Sequence, residues 1–311
     1  MTLKITAYLK LIRPVNMLLI MYVQLTLKYV VFPGINVVTA LTDLQFGLLV
    51  LTTLFIAAAG NVVNDIYDVG IDRINKPDKL LVGITISEKA AFNYYILLNV
   101  LGVGIGFYLA NAIGKPGLAG VFIIISALLY TYATSIKNLL LLGNLLISVL
   151  VAMSLLIVVL FDIYPAIDTP FRTKQIQVSK LILLYAGFAF FINLIREIVK
   201  DLEDMDGDKN GGRATLVIAL GRKRTTSIVF VLGVIALVGI IIYANYHLHH
   251  FSTTLLGYVV FGVGGSLLYF CIQAWRAETK KHFSRLSLVL KIVMVMGIAS
   301  LLFISEMNLT T

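Results

Sequence analysis

The chain has little charge. Of its 311 residues only 13% are Asp, Glu, Lys or Arg, against about 25% in an ordinary soluble domain. With 59% hydrophobic residues and a mean hydropathy of +0.95, this scarcity excludes a water-soluble globule. Cysteine is nearly missing as well. The single Cys271 lies inside an apolar run, so neither a disulfide framework nor a cysteine-based metal site can form within one chain. No hydrophilic block is long enough for a separate unit, and one membrane domain over 1–311 is expected. The first apolar run begins after Arg13 and Pro14 and lacks a small-residue cleavage site behind it. It is therefore expected to span, with no signal peptide removed.

What the chain does have is a series of apolar runs near the roughly 20 residues that a helix needs to cross a bilayer. Nine are expected, over 14–32, 44–66, 89–110, 117–136, 139–161, 178–199, 225–245, 252–274 and 286–305. The fold class that follows is all-α, a polytopic bundle. The formal charge of +9 is concentrated in alternate loops, which points to orientation and anionic lipid instead of nucleic acid. One side receives Lys4, Lys10, Arg13, Arg73, Lys76, Lys79, Lys89, Lys137, Lys200, Lys209, Arg213, Arg222, Lys223, Arg224, Arg276, Lys280, Lys281 and Arg285. The other receives only Lys115, Arg172, Lys174 and Lys180. The first side is expected to be cytoplasmic, with the N-terminus inside and the C-terminus outside, as an odd number of spans requires.

Acidic residues number only 16, and they are not scattered. In GNVVNDIYDVGIDRINKP, from Gly60 to Pro77, Asn61, Asp65, Asp68 and Asp72 fall on one face of a helix. In REIVKDLEDMDGDKNGG, Glu197, Asp201, Asp204 and Asp208 repeat the same steps. Both stretches fall on the expected cytoplasmic side. Carboxylates kept at a membrane boundary usually face a bundle interior or a water-filled cavity. Hard oxygen ligands suit Mg²⁺, which takes one or two carboxylates and fills its shell with water and substrate phosphate. Two facing sets can thus hold a metal-bridged diphosphate. Two other readings remain: solvated helix ends paired with nearby Lys and Arg, and the ion site of a cation or solute transporter. The second is weakened because transporter sites usually lie at the midplane. A phosphatidyltransferase of CDP-alcohols also uses Mg²⁺ and aspartates, but its DGxxAR element is absent after Asp68, where the chain reads VGIDR.

NDIYDVGIDR, Asn64 to Arg73, resembles the NDxxDxxxD motif of the UbiA superfamily of intramembrane prenyltransferases, and DLEDMDGD, Asp201 to Asp208, resembles its second aspartate motif. LIRPVN at Leu11 to Asn16, DRINKP at Asp72 to Pro77, TYATSIK ending in Lys137, LLGN at Leu141 to Asn144 and GGRATL after Asp208 resemble further landmarks in family order. The motifs cover roughly residues 8 to 225. The resemblance implies nine helices around a lipophilic cavity capped by cytoplasmic loops, and transfer of a prenyl group from its diphosphate to a lipophilic acceptor. Carried over, Asn61, Asp65, Asp68 and Asp72 would form one Mg²⁺ site and Asp201, Asp204 and Asp208 the second. Asn64 would orient the first set. Arg73, Lys137 and Lys209 would grip phosphate oxygens, and Arg13 and Asn16 would meet the acceptor or its head group. Plain roles as helix start and positive-inside anchors stand beside these.

The implied chemistry is electrophilic. Mg²⁺ stabilises the leaving diphosphate as a Lewis acid, aromatic faces hold the allylic cation, and a dry cavity keeps water from quenching it. The ending of the second motif resembles the branch that prenylates geranylgeranylglycerol phosphate more than those using hydroxybenzoate or making haem. Aromatic acceptors of the hydroxybenzoate, naphthoate or homogentisate type remain the alternative. No obligate protein partner is expected. One departure is Lys79 and Leu80, where many family members carry Arg-Pro.

Weaker signals have plainer readings. His247, His249 and His250 are expected on the outer surface. Gly102, Gly104 and Gly106, reading GVGIG in mid-span with no strand before them, are expected to serve helix packing, not nucleotide binding, as are Gly262, Gly264 and Gly265. Trp275 reads as an interfacial anchor and Lys28 and Lys291 as snorkelling lysines. The stretch from Phe161 to Lys180 offers no recognisable chemistry.

Overall fold

The computed structural model describes residues 2–168, 170–248 and 253–306. His249 and His250 and the side chain of His247 lie outside what is described. Among the described residues nine helices are long and apolar enough to span a membrane, and the only β feature is a bridge between Val82 and Ile86. In chain order the helices are α1 Thr2–Leu11, α2 Pro14–Gly34, α3 Asp43–Tyr67, α4 Val69–Asn75, α5 Glu88–Ala112, α6 Pro116–Thr134, α7 Leu142–Ala166, α8 Arg172–Asn210, α9 Leu216–Leu220, α10 Arg222–Tyr246, α11 Thr253–Trp275 and α12 Lys280–Phe303.

Local sequence sets several of the boundaries. Thr42 and Gln45 form a capping box before α3, Thr279 and His282 form another before α12, and the Ser87 hydroxyl accepts from the Ala90 amide before α5. Each satisfies amides that a helix start leaves unpaired. At the start of α2, Arg13 is held with φ +56°, a left-handed conformation uncommon outside glycine.

The nine expected spans are all present. The main difference is α8, whose 39 residues run about 58 Å, well beyond the roughly 30 Å hydrocarbon core. Asp201 to Asn210, beyond the expected span 178–199, is thus the last part of a continuous helix. Helix α8 is also the hub: α4, α7, α9, α10 and α12 all pack on it. Helix α3 packs closely along α5 because a Cβ at Gly102 would meet Ile56, and one at Gly106 would overlap Phe122 of α6. Gly262 similarly faces Met296, whereas Gly104 and Gly265 meet nothing nearby.

Lys28 does not snorkel. Both it and Asp162 stand in π-helical turns, Leu27–Val31 and Val159–Ile163, and their side chains are 8% and 0% exposed. The ammonium donates to Asp162 Oδ2 at 3.0 Å, Thr39 Oγ1 at 2.9 Å and the Leu41 carbonyl at 2.8 Å, using its three hydrogens. Asp162 Oδ1 accepts from the Leu41 amide at 2.7 Å. This cluster ties the α2–α3 connection to the end of α7, at the pole opposite the acidic motifs.

Candidate active site

The two acidic motifs come to one cavity. The chain continues from α3 into α4 through a single non-helical residue, Asp68, yet the Asp68 amide still reaches the Asn64 carbonyl and the Asp72 amide the Asp68 carbonyl. The helical phase is therefore kept, and Asn61, Asn64, Asp65, Asp68 and Asp72 all line a cavity of about 910 Å³. From the far end of α8, Glu197, Asp201, Asp204 and Asp208 line the same space. Its walls continue through Ile56, Leu129, Leu150, Met153 and Ile298, with the rings of Phe122, Tyr132, Tyr185 and Phe188.

A small joint holds the two acidic segments together. The Asn75 amide donates to the Asp204 carbonyl at 2.9 Å, and its Oδ1 accepts from the Gly207 amide at 3.0 Å. A Cβ at Gly207 would overlap the Asn75 side chain, so only glycine admits this approach. Gly207→Ala is expected to lower stability by about 1–3 kcal/mol and to cut turnover, because α4 must move off α8. Thermal unfolding and turnover in detergent check this; an unchanged protein would contradict it.

Asp65, Asp68, Asp201, Asp204 and Asp208 each have a hydrogen-bonding partner. Arg13 Nη2 meets Asp65 Oδ1 at 2.7 Å. Asn61 donates to the Ile12 carbonyl at 3.1 Å. Asp68 gathers Asn64 at 2.8 Å, Lys137 at 2.7 Å and Arg213, whose other nitrogen reaches Asp208 at 3.0 Å. Lys76 pairs with Asp204 at 2.5 Å and Asn144 donates to Asp201 at 2.8 Å. Burial pushes the Asp72 carboxyl up from its ordinary value, and the Asp68 charge adds to this. Burial also lowers the Lys137 ammonium, against the pull of Asp68. For Lys76 burial acts downward, but Asp204 holds it above the usual lysine value.

The basic residues divide differently from the sequence expectation. Arg73 and Lys209 are exposed and are not among the lining residues. Helical geometry explains this, since each immediately follows an inward-facing aspartate and so turns by about 100°. Lys137 stands behind the lining, bonded to Asp68 and, at 3.4 Å, to Asn64 Oδ1. Besides Arg13 at Asp65, the cations that line the cavity and pair with its aspartates are Lys76 and Arg213. Sequence reading passed over both, although Arg213 sits in GGRATL and Lys76 in DRINKP. Asn16 lines the cavity too, and its Oδ1 accepts from Lys291 Nζ at 2.7 Å, so Lys291 turns inward and does not snorkel.

The donor set suits a hard divalent cation. All of it is oxygen, and Asp204 Oδ1 is buried without a hydrogen-bond partner, a costly state for a carboxylate unless something binds there. No group of three acidic, His or Cys side chains among the described residues makes a closed metal cage.

The sequence profile of the UbiA prenyltransferase family matches residues 29–300. The chain is a UbiA-family prenyltransferase. Curated relatives of this prenyltransferase include the digeranylgeranylglyceryl phosphate synthases of Pyrococcus horikoshii, 32% identical over 75% of both chains, and Korarchaeum cryptofilum, 32% identical over 76% of this chain and 75% of the other. That of Thermococcus kodakarensis is 27% identical over 96% of this chain and 98% of its own. A solved digeranylgeranylglyceryl phosphate synthase structure covers 97% of the prenyltransferase and 99% of its own chain, with 25% identity and a TM-score of 0.62. A UbiA homolog from Archaeoglobus fulgidus, bound to GPP and Mg²⁺, shares the fold at 16% identity, with a TM-score of 0.56 and coverage of 95% and 99%.

Proposed function

We propose that this prenyltransferase moves a geranylgeranyl group from its diphosphate to the free hydroxyl of geranylgeranylglycerol phosphate, with Mg²⁺. The single observation that carries the reading is the convergence of Asp65, Asp68 and Asp72 with Asp201, Asp204 and Asp208 on one cavity that becomes apolar and aromatic away from them. The curated synthase relatives support the acceptor, and the Mg²⁺ and GPP bound to the Archaeoglobus homolog support the donor class.

In this reading the aspartates, with Asn61, hold Mg²⁺, which when bound supplies Lewis-acid stabilisation of the departing diphosphate. Lys76 and Arg213 add N–H donors to its oxygens, while Lys137 and Asn64 fix Asp68. Phe122, Tyr132, Tyr185 and Phe188 offer ring faces to the allylic cation. The apolar walls keep water from it. The loop charges support a cytoplasmic position for the acidic end, in the cell membrane.

Purified protein with Mg²⁺, geranylgeranyl diphosphate and a panel of acceptors tests the reading by product mass. A digeranylgeranylglyceryl phosphate product is expected. A prenylated hydroxybenzoate formed in its place would overturn the acceptor, and transport of ions without any diphosphate turnover would overturn the reaction.

A further inference from the structure

One group of charges in the cavity is not needed by the diphosphate centre. Glu197 lies on α8 one turn before Asp201, between two cations: Lys200 Nζ at 2.8 Å and Arg196 Nη1 at 3.2 Å. From α12, Lys291 enters the same space, steadied by Asn16, and lies in electrostatic reach of Arg196. Arg13, also near, is already committed to Asp65. Arg196, Lys200 and Lys291 thus outnumber the carboxylates nearest them, Glu197 and, in electrostatic reach of Lys200 one turn along α8, Asp201, and all line the cavity. Arg196 Nε is buried and has no hydrogen-bond partner. Like-charged groups gathered at the edge of an apolar cavity are costly unless an anion joins them.

We propose that Arg196, Lys200 and Lys291 form a second anion subsite that takes the phosphomonoester of the acceptor, apart from the diphosphate centre. A phosphomonoester carries about −1.5 to −2 charges at neutral pH and so is opposite in sign to the local excess. Its oxygens accept charge-assisted hydrogen bonds from ammonium and guanidinium alike. Position fits as well. Glu197 and Asp201 are four residues apart, about 6 Å along the helix axis. That separation is of the order of the distance from a phosphate to the hydroxyl on the carbon next to the phosphorylated one. The subsite is a specificity device: it favours a phosphorylated glycerol ether over the same ether lacking its phosphate.

The proposal rests on the acceptor reading above, and the test separates the two. Lys291→Met, Lys200→Met and Lys291→Arg are compared with the unaltered protein in zwitterionic nanodiscs, using geranylgeranylglycerol phosphate and its dephosphorylated alcohol. The Met variants are expected to raise the acceptor KM about 10-fold or more, to leave the KM for geranylgeranyl diphosphate within about 2-fold, and to lose the preference for the phosphorylated acceptor. Lys291→Arg should retain the preference. Met variants that keep the preference, or that raise only the diphosphate KM, overturn the subsite and leave the acceptor reading intact. An unaltered protein that prefers the alcohol overturns both. A variant effect that appears only after phosphatidate is added assigns the cations to a membrane lipid head group and overturns the subsite.

Discussion

Asp204→Asn is expected to lower kcat by about 10²–10³-fold while the protein stays folded, the loss typical of removing one preorganised electrostatic contact. The substitution keeps the shape of the side chain and removes its charge. Asp204 is the informative position because Oδ1 has no partner while Oδ2 meets Lys76 at 2.5 Å. Half of the carboxylate is therefore satisfied by the protein and half is left for a ligand. Asp68 makes a harsher test, since its loss strips a partner from both Lys137 and Arg213. Asp68, at the α3–α4 junction, and Asp204, on α8, serve one centre in the proposed reading, so the double variant should be little worse than either alone. Turnover by product formation, with size-exclusion profiles to show folding, decides the matter. A folded Asp204→Asn protein within about 3-fold of the unaltered kcat falls far short of the loss expected for a contact at the reacting group and would remove this residue from the site.

The second large effect lies at the other pole. Asp162→Leu is expected to cost about 3–5 kcal/mol, because it leaves the Lys28 ammonium buried without its counter-charge. Lys28→Met should cost a similar amount for the converse reason. The double variant, which replaces the pair by apolar groups, should recover most of the loss, since a buried ion pair is weak evidence of net stability. Part of the loss should persist, because the same pair holds Thr39 and Leu41 and so fixes the turn between α2 and α3. The fraction of protein remaining monodisperse after heating measures this. Equal stability of the single and double variants would contradict the ion-pair explanation. Turnover per folded molecule should hardly change, because none of these residues lines the cavity that holds the acidic motifs.

Much of the bundle was legible in the sequence because membrane length and loop charge are strong local signals. The nine spans follow from apolar runs alone. The acidic faces were legible because a helix repeats its direction every three to four residues, and that phase survives the break at Asp68. Legibility ended where the third dimension begins. Arg73 and Lys209 adjoin inward-facing aspartates in sequence, yet they point outward, while Arg213 reaches Asp68 and Asp208 from beyond a glycine turn. Lys28 resembled a span-end lysine because Asp162, 134 residues away, cannot be paired with it by spacing. The length of α8 was hidden too, since its polar last third lies beyond the apolar run, and only the structure shows it continuous with the span and packed against α4. Asn75 and Gly207 form the joint between the two motifs, a contact across 132 residues that no periodicity reveals.

The central claim, that the two acidic helices jointly hold a metal-bridged prenyl diphosphate, is tested most directly by calorimetric binding. Geranylgeranyl diphosphate is titrated into metal-free protein with and without added Mg²⁺, for the unaltered chain, Asp68→Asn and Asp204→Asn. Tight binding only with Mg²⁺, weakened by either substitution alone, is the predicted result. Binding that is independent of Mg²⁺ and equal in all three proteins would contradict it.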